Sequence, residues 1–158
     1  MRALCRSGPP VNEAGLPSLS ALAGQWSLTR TIDHADGATH RFSGQSTFAW
    51  SGPRLIETQS GHLDMGAGPA LKATRRYVWT AESGRIEVLF DDMRPFHTIP
   101  LGVATPETTH LCPPDRYQVT YDFTAFPDWT AVWNVEGPKK EYRMASHYRR
   151  AAAKDALP

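Results

Sequence analysis

Alternation constrains this chain more than any other feature. Between residues 24 and 150 apolar and aromatic side chains recur at every second position in short runs, broken by links carrying Gly, Pro and Asp. A period of two belongs to the extended strand, whose side chains point to opposite faces in turn. Trp26, Leu28, Arg30 and Ile32 share one face of a first strand, and His40, Phe42, Gly44, Ser46 and Phe48 share a face of a second. Further runs cover Arg54 to Leu63, Leu71 to Thr80, Ile86 to Phe90, Phe96 to Ile99, Thr108 to Cys112, Arg116 to Thr124, Trp129 to Glu136 and Glu141 to Arg150. The links between them are turn chemistry: Asp36-Gly37, Ser51-Gly52-Pro53, Glu82-Ser83-Gly84, Phe126-Pro127-Asp128 and Gly137-Pro138. About ten strands with short connections predict an all-β meander. A meander this long hides its edges by closing into an antiparallel up-and-down barrel. Ser18 to Ala23 predicts one short helical turn before the first strand, capped by Ser18 or Ser20.

At 158 residues the chain is expected to be one barrel domain over 18–150, with tails over 1–17 and 151–158. The net charge of +1 supplies no field for nucleic acid or anionic lipid. Cys5 and Cys112 make no disulfide framework and read as thiols of a reducing compartment. Met1 to Gly15 has no apolar core of a secretory signal, and no apolar run is long enough to span a bilayer. The expectation is a cytoplasmic protein, monomeric or homodimeric, with a small-molecule partner and neither nucleic acid nor membrane.

Sorting the strands by face gives the interior an unusual composition. Leu55, Glu57, Gln59, Gly61 and Leu63 follow one another on one face, then Leu71, Ala73, Arg75, Tyr77 and Trp79 on the next. Later strands contribute Tyr117, Val119, Tyr121 and Phe123, then Trp129, Ala131, Trp133 and Val135, then Tyr142, Met144, Ser146 and Tyr148. All five tyrosines therefore fall inside, together with Arg30, Glu57 and Arg75. A solid core would be aliphatic. Burying an unpaired charge costs about 3–5 kcal/mol, so these groups require partners. Two arrangements satisfy that need. Either Arg30, Arg75, Glu57, Tyr77, Tyr121 and Tyr142 contact an acidic or carbonyl-bearing ligand, or Arg30, Glu57 and Arg75 form an internal ion-pair network around a small wet cavity. At the far end, Gly24-Gln25-Trp26 opens the first strand and Tyr148-Arg149-Arg150 ends the last. The pair resembles the closure of small ligand-holding barrels of the calycin type, in which the indole plugs one end and a guanidinium lies over it. The period-two count favours Arg150, and a single bulge would substitute Arg149.

Reactive side chains concentrate between Phe96-His97 and His110-Leu111-Cys112-Pro113-Pro114-Asp115-Arg116-Tyr117. His97, His110, Asp115 and Tyr117 are the candidate catalytic set, suited to proton transfers. His97, His110, Cys112 and Asp115 could supply mixed metal ligands, but no paired Cys-x-x-Cys or His-x-x-x-His supports one, and no metal site is assigned. A haem on His97 or His110 is a further alternative; the sequence names no cofactor. A Cys before Pro-Pro reads as a small buried apolar residue more readily than as a nucleophile. Asp115 reads more simply as the anchor of the turn after the two prolines. His34 is expected to be exposed, and Gly137-Pro138-Lys139-Lys140 a solvated turn.

The run from Gly24-Gln25-Trp26 through Arg76-Tyr77-Val78-Trp79, His110-Leu111-Cys112-Pro113-Pro114-Asp115-Arg116-Tyr117 and Trp133-Asn134-Val135 to Glu141-Tyr142 resembles a small bacterial and fungal family of unknown function. That family is related in architecture to the lipocalins and nitrobindins. The resemblance covers Leu22 to Arg150 and implies a calycin-like barrel, whose ends close through a Gly-x-Trp and a terminal Arg. It implies no activity. Unlike the lipocalins proper, the chain lacks disulfides and a secretion signal. The expected function is a barrel holding a partly aromatic or acidic ligand. The alternatives are a cofactor-independent isomerase, cyclase or lyase, and a haem- or metal-binding barrel.

Overall fold

A computed structural model describes residues 17–151. A 3-10 turn at Leu19–Leu22 leads into ten strands: β1 (Gly24–His34), β2 (Thr39–Ser51), β3 (Arg54–Asp64), β4 (Leu71–Glu82), β5 (Arg85–Phe90), β6 (Pro95–Pro100), β7 (Glu107–Cys112), β8 (Asp115–Asp122), β9 (Trp129–Gly137) and β10 (Lys140–Arg150). All pair antiparallel in one sheet, in the order β6-β5-β4-β3-β2-β1-β10-β9-β8-β7. The alternating pattern is thus realised as the expected meander, and β1 pairs with β10 from Trp26↔Arg150 to His34↔Tyr142.

The barrel is nearly closed. The two edge strands β6 and β7 lie side by side, yet β6 is laddered to β5 and β7 to β8. Side chains bridge this seam instead. His97 on β6 bonds the hydroxyl of Tyr121 on β8 at 2.7 Å. Phe96 on β6 stacks parallel to Trp133 on β9, with centroids 5.1 Å apart and planes at 4°. The β6–β7 connection adds two backbone bonds, from Tyr121 N–H to Pro106 O and from Phe123 N–H to Ala104 O.

The helical turn forms without the expected cap: neither Ser18 nor Ser20 caps it through a side chain, and their hydroxyls lie 3.1 Å apart. The turn docks on the barrel floor. Leu22 is fully buried and its carbonyl accepts a bond from Trp26 Nε1 at 2.9 Å. Above Trp26 sits an aromatic cluster. Trp129 stacks on Tyr148 at 3.8 Å and 3° and meets Trp26 edge-on at 5.8 Å, while Phe48 packs edge-on against Trp79 at 5.2 Å. Burying an aromatic side chain of this size contributes about 4–6 kcal/mol, so this end of the barrel is its stable core.

Wall curvature depends on a paired close approach. Gly44 on β2 faces Gly61 on β3, and a Cβ on Gly44 would collide with the Ser60 carbonyl. Glycine at both positions lets the strands bend sharply, as barrel closure requires.

Arg150, rather than Arg149, closes the floor. Its guanidinium lies over Trp26 at 4.0 Å and donates to the carbonyls of Ala23 (2.8 Å) and Ala21 (2.7 Å). Arg149 pairs across from Ser27 and is exposed, because register fixes the odd residue outward. Gly24 has φ +114°, and a Cβ there would meet Arg150 Nη1 at 2.8 Å, so the arginine needs that glycine. The expected tails lie outside the described residues apart from Pro17 and Ala151, and Cys5 lies outside them as well. Replacing Arg150 with Ala is expected to cost about 2–4 kcal/mol in urea unfolding, and Arg150→Lys roughly half of that. Arg149→Ala should stay within about 0.5 kcal/mol; equal effects at both positions would contradict this floor.

Candidate functional site

Above the aromatic floor the barrel is hollow. The cavity has a volume of about 190 Å³, enough for one substituted aromatic ring. Its wall alternates polar and apolar side chains: Arg30, Glu57, Gln59, Arg75, His97, Tyr121, Ser146 and Tyr148 among Phe42, Tyr77, Phe96 and Trp133. These residues project inward from eight of the ten strands. The hairpins β1–β2, β3–β4, β5–β6, β7–β8 and β9–β10 surround the mouth.

Glu57 is 1% exposed and bonds four groups, all of them donors. Ser46 Oγ (2.9 Å), Gln59 Nε2 (2.8 Å) and Tyr148 OH (3.1 Å) reach Oε2, while Trp79 Nε1 (3.0 Å) reaches Oε1. Gln59 Nε2 also donates to Tyr148 OH at 3.2 Å. Four donors match an acceptor-only carboxylate. They come from β2, β3, β4 and β10, so this one side chain ties much of the wall together. Burial, then the neighbouring Glu57 charge, holds the Tyr148 hydroxyl well above the ordinary phenol range, so Tyr148 stays a donor.

The ion-pair network foreseen as one alternative does not form. Arg30 donates from Nε to Ser146 Oγ at 2.7 Å and lies 5.4 Å from the Phe42 ring. Among the described residues its terminal nitrogens have no hydrogen bond and no carboxylate partner. Arg75 is exposed at the cavity mouth and likewise makes no ion pair there. Glu57 needs neither arginine, because neutral donors saturate it.

His97 is 8% exposed. Its Nε2 bonds Tyr121 OH at 2.7 Å, and its Nδ1 is buried without a partner. Burial, with a smaller contribution from His110, lowers the His97 pKa to about 3, so the ring is neutral at physiological pH. Tyr121, fully enclosed, is pushed well above the usual phenol value, first by burial and then by Glu57. The pair is therefore uncharged.

The four expected catalytic residues do not converge on one point, although His110 meets Tyr117 with ring centroids 5.9 Å apart. His110 sits outside the His97–Tyr121 pair, edge-on to Phe96 at 5.3 Å and to Phe90 at 6.1 Å. Asp115 pairs with Lys140 at 3.4 Å, and Lys140 donates to Tyr117 OH at 3.0 Å. Asp115 thus anchors the mouth and bonds neither histidine. Lys140 is held there by these contacts while its side chain stays 40% exposed. Tyr142 lines the rim beside His34, with centroids 5.6 Å apart, rather than the main cavity. His34 is half-buried against His40, with Nε2 3.2 Å from Nδ1 of its partner. Cys112, expected to be buried, is exposed, because it ends β7 at the mouth.

Among the described residues no three His, Cys, Asp or Glu side chains converge on one point, so the mixed ligand set of the sequence is not assembled. His97 does not suit haem iron either, since one ring nitrogen is engaged by Tyr121 and the other is buried.

Sequence reasoning missed Phe96. Simple alternation puts either Phe96 or His97 inside, yet both line the cavity. The register explains it: Val88 pairs with His97 and Leu89 with Pro95, leaving Phe96 as the extra residue of a bulge. A bulge re-aims a side chain in this way, and nothing in Pro95-Phe96-His97 announces it. The roles of Ser46, Gln59 and Tyr148 around Glu57 were equally invisible, although their inward faces were readable.

Stability should record the neutral state of His97. The unfolded ring titrates near its ordinary value of 6.5, the folded one near about 3. The unfolded state therefore binds the extra proton between these values. Stability present above pH 6.5 is lost as pH falls toward 3, by up to about 1.4 kcal/mol per pH unit. Urea titrations of the native chain and of His97→Phe should diverge by that slope below pH 6.5. Parallel curves would mean that the ring is protonated in the fold.

A solved S-type phycobiliprotein lyase from Guillardia theta has the same architecture. It aligns with a TM-score of 0.63 at 10% sequence identity, covering 83% of this chain and 89% of that one. No curated protein matches the chain. A family model matches the chain from residue 22 to residue 150, over nearly the whole barrel: the chain belongs to a family of unknown function, DUF6314.

Proposed function

We propose that the barrel binds a small, partly aromatic acidic molecule, with its acidic group on the terminal nitrogens of Arg30. The observation that carries this reading is the state of Arg30. It projects into the cavity with its Nε fixed by Ser146, while the carboxylate in the same cavity is saturated by neutral donors. Arg30 is half-buried; a cation taken partly out of water without a bonded counter-charge is destabilised, and a ligand carboxylate offsets this through charge-assisted bonds. Flat walls at Phe96, Trp133 and Tyr77 favour an aromatic body: Tyr77 stacks on Phe96 at 5.8 Å, continuing the Phe96–Trp133 stack. In this reading the protein acts as a cytoplasmic small-molecule binder.

A second reading, a cofactor-independent isomerase, cyclase or lyase, is favoured by the His97–Tyr121 pair on the cavity wall and by the likeness to a phycobiliprotein lyase. Proton transfer there would use the Tyr121 hydroxyl as acid. The lowered pKa of His97 makes it a weak base at neutral pH, and this favours binding over catalysis.

Titration with 2-naphthoate, followed by tryptophan fluorescence, tests the first reading. Arg30→Met is expected to weaken binding by about 10- to 100-fold, the loss of a hydrogen bond to a charged group. Binding of 2-acetylnaphthalene, which has no charge, should change less than about twofold. Equal affinity of native and variant protein for the acid would contradict the reading.

A further inference from the structure

The cavity carries two cations at different depths. Among the described residues Arg30 and Arg75 are its only arginines or lysines, and Glu57 its only carboxylate. The charge of Arg30 is felt at Tyr121 and Tyr148, whose hydroxyls lie deep in the barrel. The charge of Arg75 is felt at Tyr142, on the rim. Arg30 is half-buried with its Nε on Ser146, while Arg75 is exposed and reaches the outer groove, so the two guanidinium groups form separate stations.

The surroundings of Arg75 sharpen the point. It lines both the interior cavity and a groove that continues from it over the mouth, bounded by Thr74, Arg76, Phe90, Asp91, Asp92 and Arg94. In that groove Arg76 is paired with Asp91 at 3.8 Å and Arg94 with Asp92 at 2.7 Å. Across the mouth Lys140 is paired with Asp115 and Arg116 with Glu136. Arg75 stands among neutralised cations and keeps its own charge. Tyr77 belongs to both spaces, and its ring leads from the mouth to the flat faces of Phe96 and Trp133.

Building on the Arg30 anchor proposed above, we infer that the ligand is a flat dianion: an aromatic or conjugated body bearing two acidic groups, one held by Arg30 inside and the other by Arg75 at the mouth. A monoanion would leave Arg75 unanswered, and a ligand with adjacent charges would reach one station alone. Two charge-assisted contacts at the ends of a rigid body also fix its orientation.

Matched acids of two lengths test this by isothermal titration at fixed ionic strength: benzoate against terephthalate, and 2-naphthoate against naphthalene-2,6-dicarboxylate. In at least one pair the dianion should bind about tenfold or more tightly than the monoanion. Arg75→Gln should bring the dianion to the affinity of the monoanion, leaving the monoanion within twofold, and Arg75→Lys should restore part of the preference. Arg75 is a surface residue, so these variants keep the fold. No preference for the dianion in either pair would overturn the inference, as would an equal loss for both acids in Arg75→Gln, which marks general attraction. Monoanion binding that survives Arg30→Met would instead sink the Arg30 anchor, and failure of all four acids to bind would overturn both.

Discussion

A carboxylate at the centre of a barrel has to be answered by something, and the answer given to Glu57 organises this molecule. Ser46, Gln59, Trp79 and Tyr148 supply four donors from four strands. Each such bond to a charged acceptor contributes about 1.5–3 kcal/mol net, and leaving one donor stranded would cost about 1–3 kcal/mol. The cluster also divides the barrel. Trp79 and Tyr148 belong to the aromatic floor through Phe48 and Trp129, while Glu57 and Gln59 face the cavity above. The polar network is the roof of the packed half and the base of the hollow half.

Satisfying Glu57 with neutral groups has an electrostatic consequence. The arginines that would otherwise quench it are left to the cavity. Among the described residues Arg30 has one hydrogen bond, to Ser146, and lies over the Phe42 ring in a space walled by aromatic side chains. The His97–Tyr121 pair carries no charge to offset it, since burial keeps the ring neutral and the phenol protonated. The cavity thus keeps one unpaired guanidinium inside and another at its mouth, with aromatic rings among them. Its chemistry follows from which donors reach Glu57, not from a catalytic constellation.

Much of this was readable from residue order. Alternation gave the faces of most strands, because one face is buried and a slip of one residue would exchange inside and outside. It placed Tyr77, Tyr121, Tyr148, Arg30, Glu57 and Arg75 on the cavity wall, where they stand, but also Tyr117 and Tyr142, which lie at the rim, and it favoured Arg150 over Arg149. What failed depended on geometry between strands. The Phe96 bulge adds one residue to β6 and turns two consecutive side chains inward. The reactive string from His110 to Tyr117 looked like one site, but its turn lies at the mouth, where Asp115 finds Lys140 from a strand two places away. The proposed ion-pair network was plausible by charge alone. Ser46, Gln59 and Trp79 displaced it because the register brings their donors within 3.0 Å of Glu57.

The most direct measurement is a high-resolution crystal structure of the protein grown with naphthalene-2,6-dicarboxylate. The account predicts one carboxylate on the terminal nitrogens of Arg30, with Glu57 still held by Ser46, Gln59, Trp79 and Tyr148. An Arg30 side chain turned onto Glu57, with the diacid absent from the barrel, would contradict it.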